Sequence, residues 1–183
     1  MGFFELLWLK LVVMQRNAVE YSKVVWRYYG HRNFRRWDLA LLWGYFLRNP
    51  YRICHNYLKE IGMADPYLYG ETPLTSLQII AEHCDLKKED HVFELGCGRG
   101  RGCFWLQAFI GCKVTGIELV PTFVEKANHV KDRFKIDQIE FRHGDIAKAN
   151  YDSATVLYLY GTCFEDAFIE QLINKFKKLP KGT

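Results

Sequence analysis

The 183-residue sequence predicts an α/β fold with a Rossmann-like parallel sheet, preceded by an N-terminal helical extension. The first observation is the stretch from His91 to Gly102, HVFELGCGRGRG, in which a short apolar run precedes four glycines at alternating positions. The second is the apolar stretch from Cys103 to Ile110, which has the pattern of a helix and is followed by a glycine. Strand, glycine turn and helix together form the first half of a nucleotide-type βαβ unit.

The other elements are predicted from the same kinds of pattern. In chain order they are a helix over 50–61, a loop over 62–72, a helix with Thr72 as N-cap and Pro73 as its first residue, a strand over 113–118, a helix from Pro121, strands over 138–142 and 154–160, and a helix over 164–178. The last helix is expected to bury Phe168, Leu172, Ile173 and Phe176.

The glycines do not follow the dinucleotide-binding fingerprint G-x-G-x-x-G in any register. They follow E-x-G-x-G-x-G instead, starting at Glu94 and running through Gly96 and Gly98 to Gly100. A carboxylate at the end of the first strand can pair with a ligand's ammonium group, whereas it would repel a pyrophosphate. The alternative is a tight strand-to-helix turn that binds nothing.

This motif resembles motif I of the class I S-adenosylmethionine-dependent methyltransferases. The longer stretch 69–102, YGETPLTSLQIIAEHCDLKKEDHVFELGCGRGRG, is similar to the non-SET histone lysine methyltransferases, in which a Y-G-E-T loop covers the methionine end of the cofactor. A second similar family comprises small membrane-associated protein-lysine methyltransferases that act on mitochondrial targets. The resemblance covers about residues 67–183. The N-terminal residues do not obviously match either family, and their composition differs from that of the rest. We therefore predict a methyltransferase domain over 62–183 and a separate helical extension over 1–61.

The resemblance implies S-adenosylmethionine as cofactor and assigns roles to the matching positions. Glu118, at the tip of the second strand, is placed to accept hydrogen bonds from ribose hydroxyls, as acidic residues do in dinucleotide folds. Asp145 would bind the adenine amino group and Ile146 would pack on the ring, the alternative for Asp145 being an Asx-turn or helix cap. The full predicted cofactor set is Tyr69, Gly70, Glu71, Thr72, Glu94, Gly96, Cys97, Gly98, Gly100, Glu118, Asp145 and Ile146.

The methyl acceptor cannot be carried over from the family. The histone enzymes have a pair of asparagines where this chain has Tyr160-Gly161, and the D/N-P-P-Y box of amino-methylating DNA and protein-glutamine enzymes is absent. No catalytic residue is assigned, and Tyr69 and Tyr160 are the pocket candidates. A protein lysine is the first candidate acceptor, methylated by positioning and by desolvation of its amine. The alternatives are a cofactor-binding pseudoenzyme or fragment, and a membrane- or partner-binding module on a methyltransferase scaffold.

The extension differs sharply in composition from the rest of the chain. Residues 1–60 carry a net charge of +6 and four of the five tryptophans, whereas residues 61–183 carry −2. The segment WRYYGHRNFRRW interleaves arginines with aromatic residues, which suits an anionic membrane surface or, as a weaker alternative, nucleic acid. The competing interpretation is a helical cap that packs on the body. No apolar run reaches the ~18 residues of a membrane-spanning helix.

Six cysteines without a C-x-x-C spacing predict no metal site. They favour a reducing compartment, hence a cytoplasmic protein with peripheral membrane contact as the alternative.

The family's sheet has strand order 3-2-1-4-5-7-6, and only the first four of these positions, 3-2-1-4, have a matching sequence here. The fourth strand, with Val156, Leu157 and Leu159, is continuously apolar and is therefore expected to be buried on both faces. Its open edge is expected to be covered by the extension, by a partner or second copy, or by strands beyond the chain. We accordingly expect the isolated chain to be poorly soluble, oligomeric or catalytically silent.

Overall fold

The computed structural model describes residues 2–63, 69–161 and 164–180. The middle of the predicted loop over 62–72, the dipeptide 162–163 and the last three residues lie outside this part of the chain. The elements are α1 (Phe3–Tyr28), α2 (Arg32–Trp43), α3 (Pro50–Glu60), α4 (Leu74–His83), β1 (His91–Leu95), α5 (Arg101–Phe109), β2 (Lys113–Glu118), α6 (Pro121–Phe134), β3 (Ile139–His143), β4 (Val156–Leu159) and α7 (Asp166–Phe176).

The four strands form one parallel sheet in the order β3-β2-β1-β4, which confirms the predicted fold class. In the register of this sheet, Glu94 on β1 lies between Gly116 on β2 and Tyr158 on β4. Because all strands are parallel, their carboxyl ends meet along one edge. In open α/β sheets ligands bind at that edge.

Apolar side chains alternate along the strands and build a separate core on each face of the sheet. Val92 and Val114 face one core, which also contains the buried residues of α2, α5 and α6. Phe93 and Ile117 face the other core, which is closed by Tyr151 and by Leu172 of α7. This alternation follows from the two-residue period of a strand.

The extension packs on the body through α2, which lies against α5 and α6. Its buried Asp38 accepts two hydrogen bonds from the Arg101 guanidinium, from Nε at 2.6 Å and from Nη2 at 2.8 Å. The Tyr29 hydroxyl donates a third to the same carboxylate at 2.9 Å. These contacts fix the start of α5, directly after the glycine turn, against the extension. They agree with the helical-cap interpretation, while the domain boundary between residues 61 and 62 stays a prediction.

Three local predictions are wrong. Thr72 does not cap α4; Pro73 occupies the N-cap position, and the Thr72 hydroxyl lies 2.7 Å from the Tyr158 hydroxyl. β4 is half-buried rather than buried on both faces, because within the described residues it pairs with β1 alone. Ile173 of α7 is exposed, because the helix turns Leu172 toward the sheet. The expected insolubility, oligomerisation or lack of turnover stays a prediction.

α1 exposes much of its apolar surface. Trp8 and Trp26 are 70% and 85% exposed, and Leu11 and Val19 on the same face are about half exposed. Val24 and Tyr28, on the opposite face, are buried. Although α1 is 26 residues long, none of the described helices has the length and apolar character needed to cross a membrane.

Candidate cofactor site

The glycine turn between β1 and α5 uses positive φ angles at Gly96, Gly98 and Gly100. An L-residue rarely adopts this left-handed conformation, so the turn depends on glycine. The three positions differ in what a side chain would meet. A Cβ at Gly96 would meet nothing within 4 Å, one at Gly98 would lie 3.3 Å from the Tyr69 ring, and one at Gly100 would lie 2.4 Å from the Phe141 ring. Gly100 is therefore required by packing as well as by conformation.

Glu118 joins the end of β2 to this turn. Its carboxylate accepts the backbone N–H of Gly98 at 2.8 Å and that of Val120 at 2.9 Å. Burial raises the pKa of Glu118, and the backbone N–H groups of Val120 and Gly98 oppose that rise. Each carboxylate oxygen has a second lone pair, so the group can still accept hydrogen bonds from two ribose hydroxyls.

Glu94, at the end of β1, is the second buried carboxylate of the site. The Cys103 thiol donates to its Oε2 at 3.0 Å. Burial raises the pKa of Glu94 to about 7, and the nearby Glu71 and Glu118 add to the rise, although the Cys103 thiol opposes it. A Cβ at Gly102 would lie 2.6 Å from Glu94 Oε1, so the fourth glycine of the run makes room for this carboxyl group.

The Y-G-E-T segment lies over the glycine turn. Glu71 accepts two hydrogen bonds at 2.5 Å from the Arg99 guanidinium, which belongs to the turn itself, and a third from the Tyr69 hydroxyl. The Tyr69 ring lies beside Gly98 and packs against the Phe123 ring of α6. Residues 69–72 are thus tied to the turn by charge and by packing.

A cavity of about 40 Å³ lies between the Y-G-E-T segment and the carboxyl ends of β1 and β4. It could hold on the order of three water molecules, whereas small-molecule sites occupy roughly 300–1,000 Å³. The cavity is lined by Gly70, Glu71, Thr72, Leu77, Glu94, Leu95, Gly96, Cys97, Arg101, Gly102, Tyr158 and Tyr160.

Asp145 and Ile146 lie outside this cavity. Asp145 Oδ1 accepts the backbone N–H of Ala147 at 2.8 Å, which is the Asx-turn that the sequence left open as the alternative. Ile146 is buried in the core that contains Phe93. Their roles toward adenine stay predictions, as do the roles of the other predicted cofactor residues.

The sequence analysis missed several residues at the site, among them Arg99, Tyr158 and Tyr45. Arg99 occupies an x position of E-x-G-x-G-x-G, for which the motif predicts no role, yet it is buried and paired with Glu71. Tyr158 contributes a hydroxyl to the cavity wall, and its position two residues before Tyr160 on one strand could have indicated a shared face. Tyr45 packs beside Arg99 from the extension, and no sequence signal pointed to it.

The comparisons with known proteins identify the family. Residues 86–181, just over half of the chain, match the family model described as a methyltransferase domain. The chain belongs to this methyltransferase family. A solved RNA methyltransferase from Salinibacter ruber, in complex with S-adenosyl-L-homocysteine, is 29% identical with a TM-score of 0.54, over 61% of this chain and 72% of that one. A geranyl diphosphate C-methyltransferase from Streptomyces coelicolor A3(2), 18% identical with a TM-score of 0.53 over 60% of this chain and 40% of its own, shares the fold.

Two curated relatives act on different substrates. Sterol 24-C-methyltransferase of Kluyveromyces lactis is 28% identical over 109 residues, which are 57% of this chain and 29% of that protein. The H3 lysine-79-specific histone-lysine N-methyltransferase of Dictyostelium discoideum is 27% identical over 132 residues, 63% of this chain and 7% of that protein. The chain therefore spans less than a third of the length of the curated relatives that it matches.

The cofactor of this methyltransferase domain is S-adenosylmethionine, and the residues present fit it. Two buried carboxylates, Glu94 and Glu118, end adjacent strands, which suits a cationic ligand that carries an ammonium group and ribose hydroxyls. The space beside Gly96 is open to close approach of a ligand to the backbone.

Proposed function

We propose that the protein transfers the methyl group of S-adenosylmethionine to a lysine amine of a protein substrate. The observation that carries this proposal is the cavity that joins the Y-G-E-T segment to the ends of β1 and β4. This segment begins the stretch 69–102 that resembles the histone lysine methyltransferases, and a histone lysine enzyme is among the relatives. Because a sterol methyltransferase and an RNA methyltransferase are also among the similar proteins, sterol and RNA are the alternative methyl acceptors to be tested.

In this proposal the residues of the turn hold the cofactor. Glu94 pairs with its ammonium group, Glu118 accepts from its ribose hydroxyls, and Asp145 and Ile146 bind its adenine. The bound cofactor supplies a methyl group made electrophilic by its attachment to a sulfonium. Holding the acceptor in line with that methyl group is the main contribution required of the protein.

The residues at the end of β4 prepare the acceptor. Tyr158 is half-buried with its hydroxyl on Thr72, and Tyr160 lies at the rim of the cavity. Aromatic faces at this point exclude water from a lysine amine. Desolvation disfavours the charged form of an amine, so the neutral nucleophile forms without a dedicated base.

The experiment is methyl transfer from radiolabelled S-adenosylmethionine to a mixture of protein, RNA and sterol, followed by hydrolysis and identification of the labelled product. We expect methylated lysine. Gly98→Val serves as the inactive control. Valine would have to adopt the positive backbone φ of this position, and its side chain would collide with the Tyr69 ring. Label in RNA, in sterol or in another amino acid would contradict the lysine proposal.

We also propose that α1 binds an anionic membrane surface. Trp8, Leu11, Val19 and Trp26 recur at spacings of 3, 8 and 7, which places them on one helical face, and all four are exposed. The net charge of +6 on residues 1–60 complements an anionic surface. An amphipathic helix of this kind lies in the plane of the membrane with its aromatic residues in the interface.

Sedimentation with vesicles tests this surface. The protein should bind vesicles of phosphatidylcholine and phosphatidylglycerol, bind pure phosphatidylcholine less, and lose binding when Trp8 and Trp26 are both changed to Ala. Trp37→Phe is the matched control, because Trp37 is buried against Phe104. Equal binding by the double variant, or a concentration-dependent dimer that the double variant abolishes, would contradict the membrane proposal.

A further inference from the structure

The turn that follows α2 buries a single tyrosine among exposed apolar neighbours. Trp43, Phe46 and Leu47 are largely exposed, whereas Tyr45 is only 6% exposed. The turn is held on α6 by Lys126, whose ammonium donates to the Gly44 carbonyl at 2.9 Å. Of these side chains of the extension, Tyr45 is therefore the one that is buried against the methyltransferase domain.

The Tyr45 ring lies against the glycine turn. Its centroid is 5.3 Å from the Arg99 guanidinium carbon and 6.0 Å from the centroid of the Phe123 ring. Burial raises the pKa of Tyr45; Arg99 opposes this rise, and Glu71, Cys97 and Glu118 add to it. The hydroxyl is thus within electrostatic reach of the residues proposed to hold the cofactor, and it stays protonated at neutral pH.

The hydroxyl of Tyr45 is buried but has no hydrogen-bond partner within the described residues. Buried polar groups are nearly always paired, and an unpaired one is unfavourable. Phenylalanine would fill the same space beside Arg99 and Phe123 without this penalty. The hydroxyl therefore points to a partner outside the described residues, and a bound ligand can supply one.

We propose that the Tyr45 hydroxyl hydrogen-bonds the nucleoside half of S-adenosylmethionine, so that the N-terminal extension completes the cofactor site. The nucleoside half is favoured because Phe123, which the Tyr45 ring contacts, lies in the first turn of α6, and α6 starts soon after Glu118 at the end of β2. In sheets of this class the acidic residue at that strand end meets the ribose. The proposal rests on the proposed function only through the cofactor and makes no use of the acceptor.

Titration calorimetry with S-adenosylhomocysteine on Tyr45→Phe tests this assignment. We expect affinity to fall about three- to tenfold, the range for one lost hydrogen bond. The melting temperature of the ligand-free variant should be unchanged or higher, because the substitution removes an unpaired buried hydroxyl. A merely structural tyrosine would leave affinity unchanged.

Tyr28→Phe is the matched control. Tyr28 is equally buried, but its hydroxyl donates to Gln78 Oε1 at 2.6 Å. This variant should melt at a lower temperature and bind S-adenosylhomocysteine like the unmodified chain.

Methylthioadenosine, which lacks the amino-acid half, locates the contact. Tyr45→Phe should weaken its binding by the same factor as that of S-adenosylhomocysteine. Equal affinities of Tyr45→Phe and the unmodified chain for S-adenosylhomocysteine would overturn the inference, and a loss confined to S-adenosylhomocysteine would overturn its nucleoside part. Failure of the cofactor assignment would appear separately, as no binding by the unmodified chain.

Discussion

Gly100→Ala should destabilise the protein severely. The left-handed conformation costs an L-residue about 1–2 kcal/mol, and forcing a methyl group into a packed core costs about 1–3 kcal/mol. Gly100 has both problems, because its φ is +78° and an added Cβ would lie 2.4 Å from the Phe141 ring. We therefore expect a loss of roughly 2–5 kcal/mol of unfolding free energy, a large part of the ~5–15 kcal/mol of a typical domain.

Urea denaturation followed by circular dichroism measures this loss. Gly144→Ala is the matched control, since Gly144 has no strained φ and an added Cβ would meet nothing within 4 Å. The control should unfold at the same urea concentration as the unmodified chain. If Gly100→Ala did the same, the packing of the turn against β3 described above would be wrong.

Glu94→Gln should stabilise the ligand-free protein at high pH and weaken cofactor binding. The folded protein raises the pKa of Glu94 from 4.5 to about 7, so it binds that proton more tightly than the unfolded chain does. Stability associated with the neutral carboxyl group is thus present below pH 4.5 and is lost as the pH rises to about 7. Glutamine keeps the shape and cannot ionise, so at pH 8 it should gain up to about 3 kcal/mol.

Unfolding curves at pH 4 and pH 8 separate this effect from a general change in stability. Glu94→Gln should gain stability over the unmodified chain at pH 8 and little at pH 4. Glu140→Gln, which removes an exposed carboxylate paired with Arg142, should gain nothing at either pH. Affinity for S-adenosylhomocysteine should fall in Glu94→Gln, because the ammonium group loses its charged partner. A variant less stable than the unmodified chain at pH 8 would contradict the raised pKa.

The elements that sequence patterns predicted correctly are those with strong local signals. The run from β1 through the glycine turn to α5 is one, because strand formers, glycines and helix formers follow one another within twenty residues. The sheet order followed from the resemblance once those strands were recognised. Glu94 and Glu118 could be placed because each ends a strand, and strand ends meet at one edge of a parallel sheet.

Contacts between distant parts of the chain could not be predicted in the same way. Glu71 and Arg99 are 28 residues apart, and Asp38 and Arg101 are 63 apart. The sequence around an arginine does not indicate which distant carboxylate will pair with it. The error at Thr72 has the same origin, since its hydroxyl has an N-cap's chemistry but bonds Tyr158, 86 residues later in the chain.

The buried Tyr45 illustrates a further limit. Its neighbours Trp43, Phe46 and Leu47 are at least as apolar as Tyr45 itself. From the sequence alone, one would expect these neighbours to be buried before Tyr45. They stay exposed because the turn after α2 is oriented by Lys126 and by the packing of α2 on α5 and α6. Which side chain of an apolar turn points inward is therefore decided by tertiary contacts.

Titration calorimetry of the intact 183-residue chain with S-adenosylhomocysteine and with NAD tests the central claim, that the turn after β1 is a methyltransferase cofactor site. The buried carboxylate at the end of β1, and the absence of G-x-G-x-x-G, predict binding of S-adenosylhomocysteine and none of NAD. Comparable affinity for NAD, or no binding of S-adenosylhomocysteine, would contradict the account.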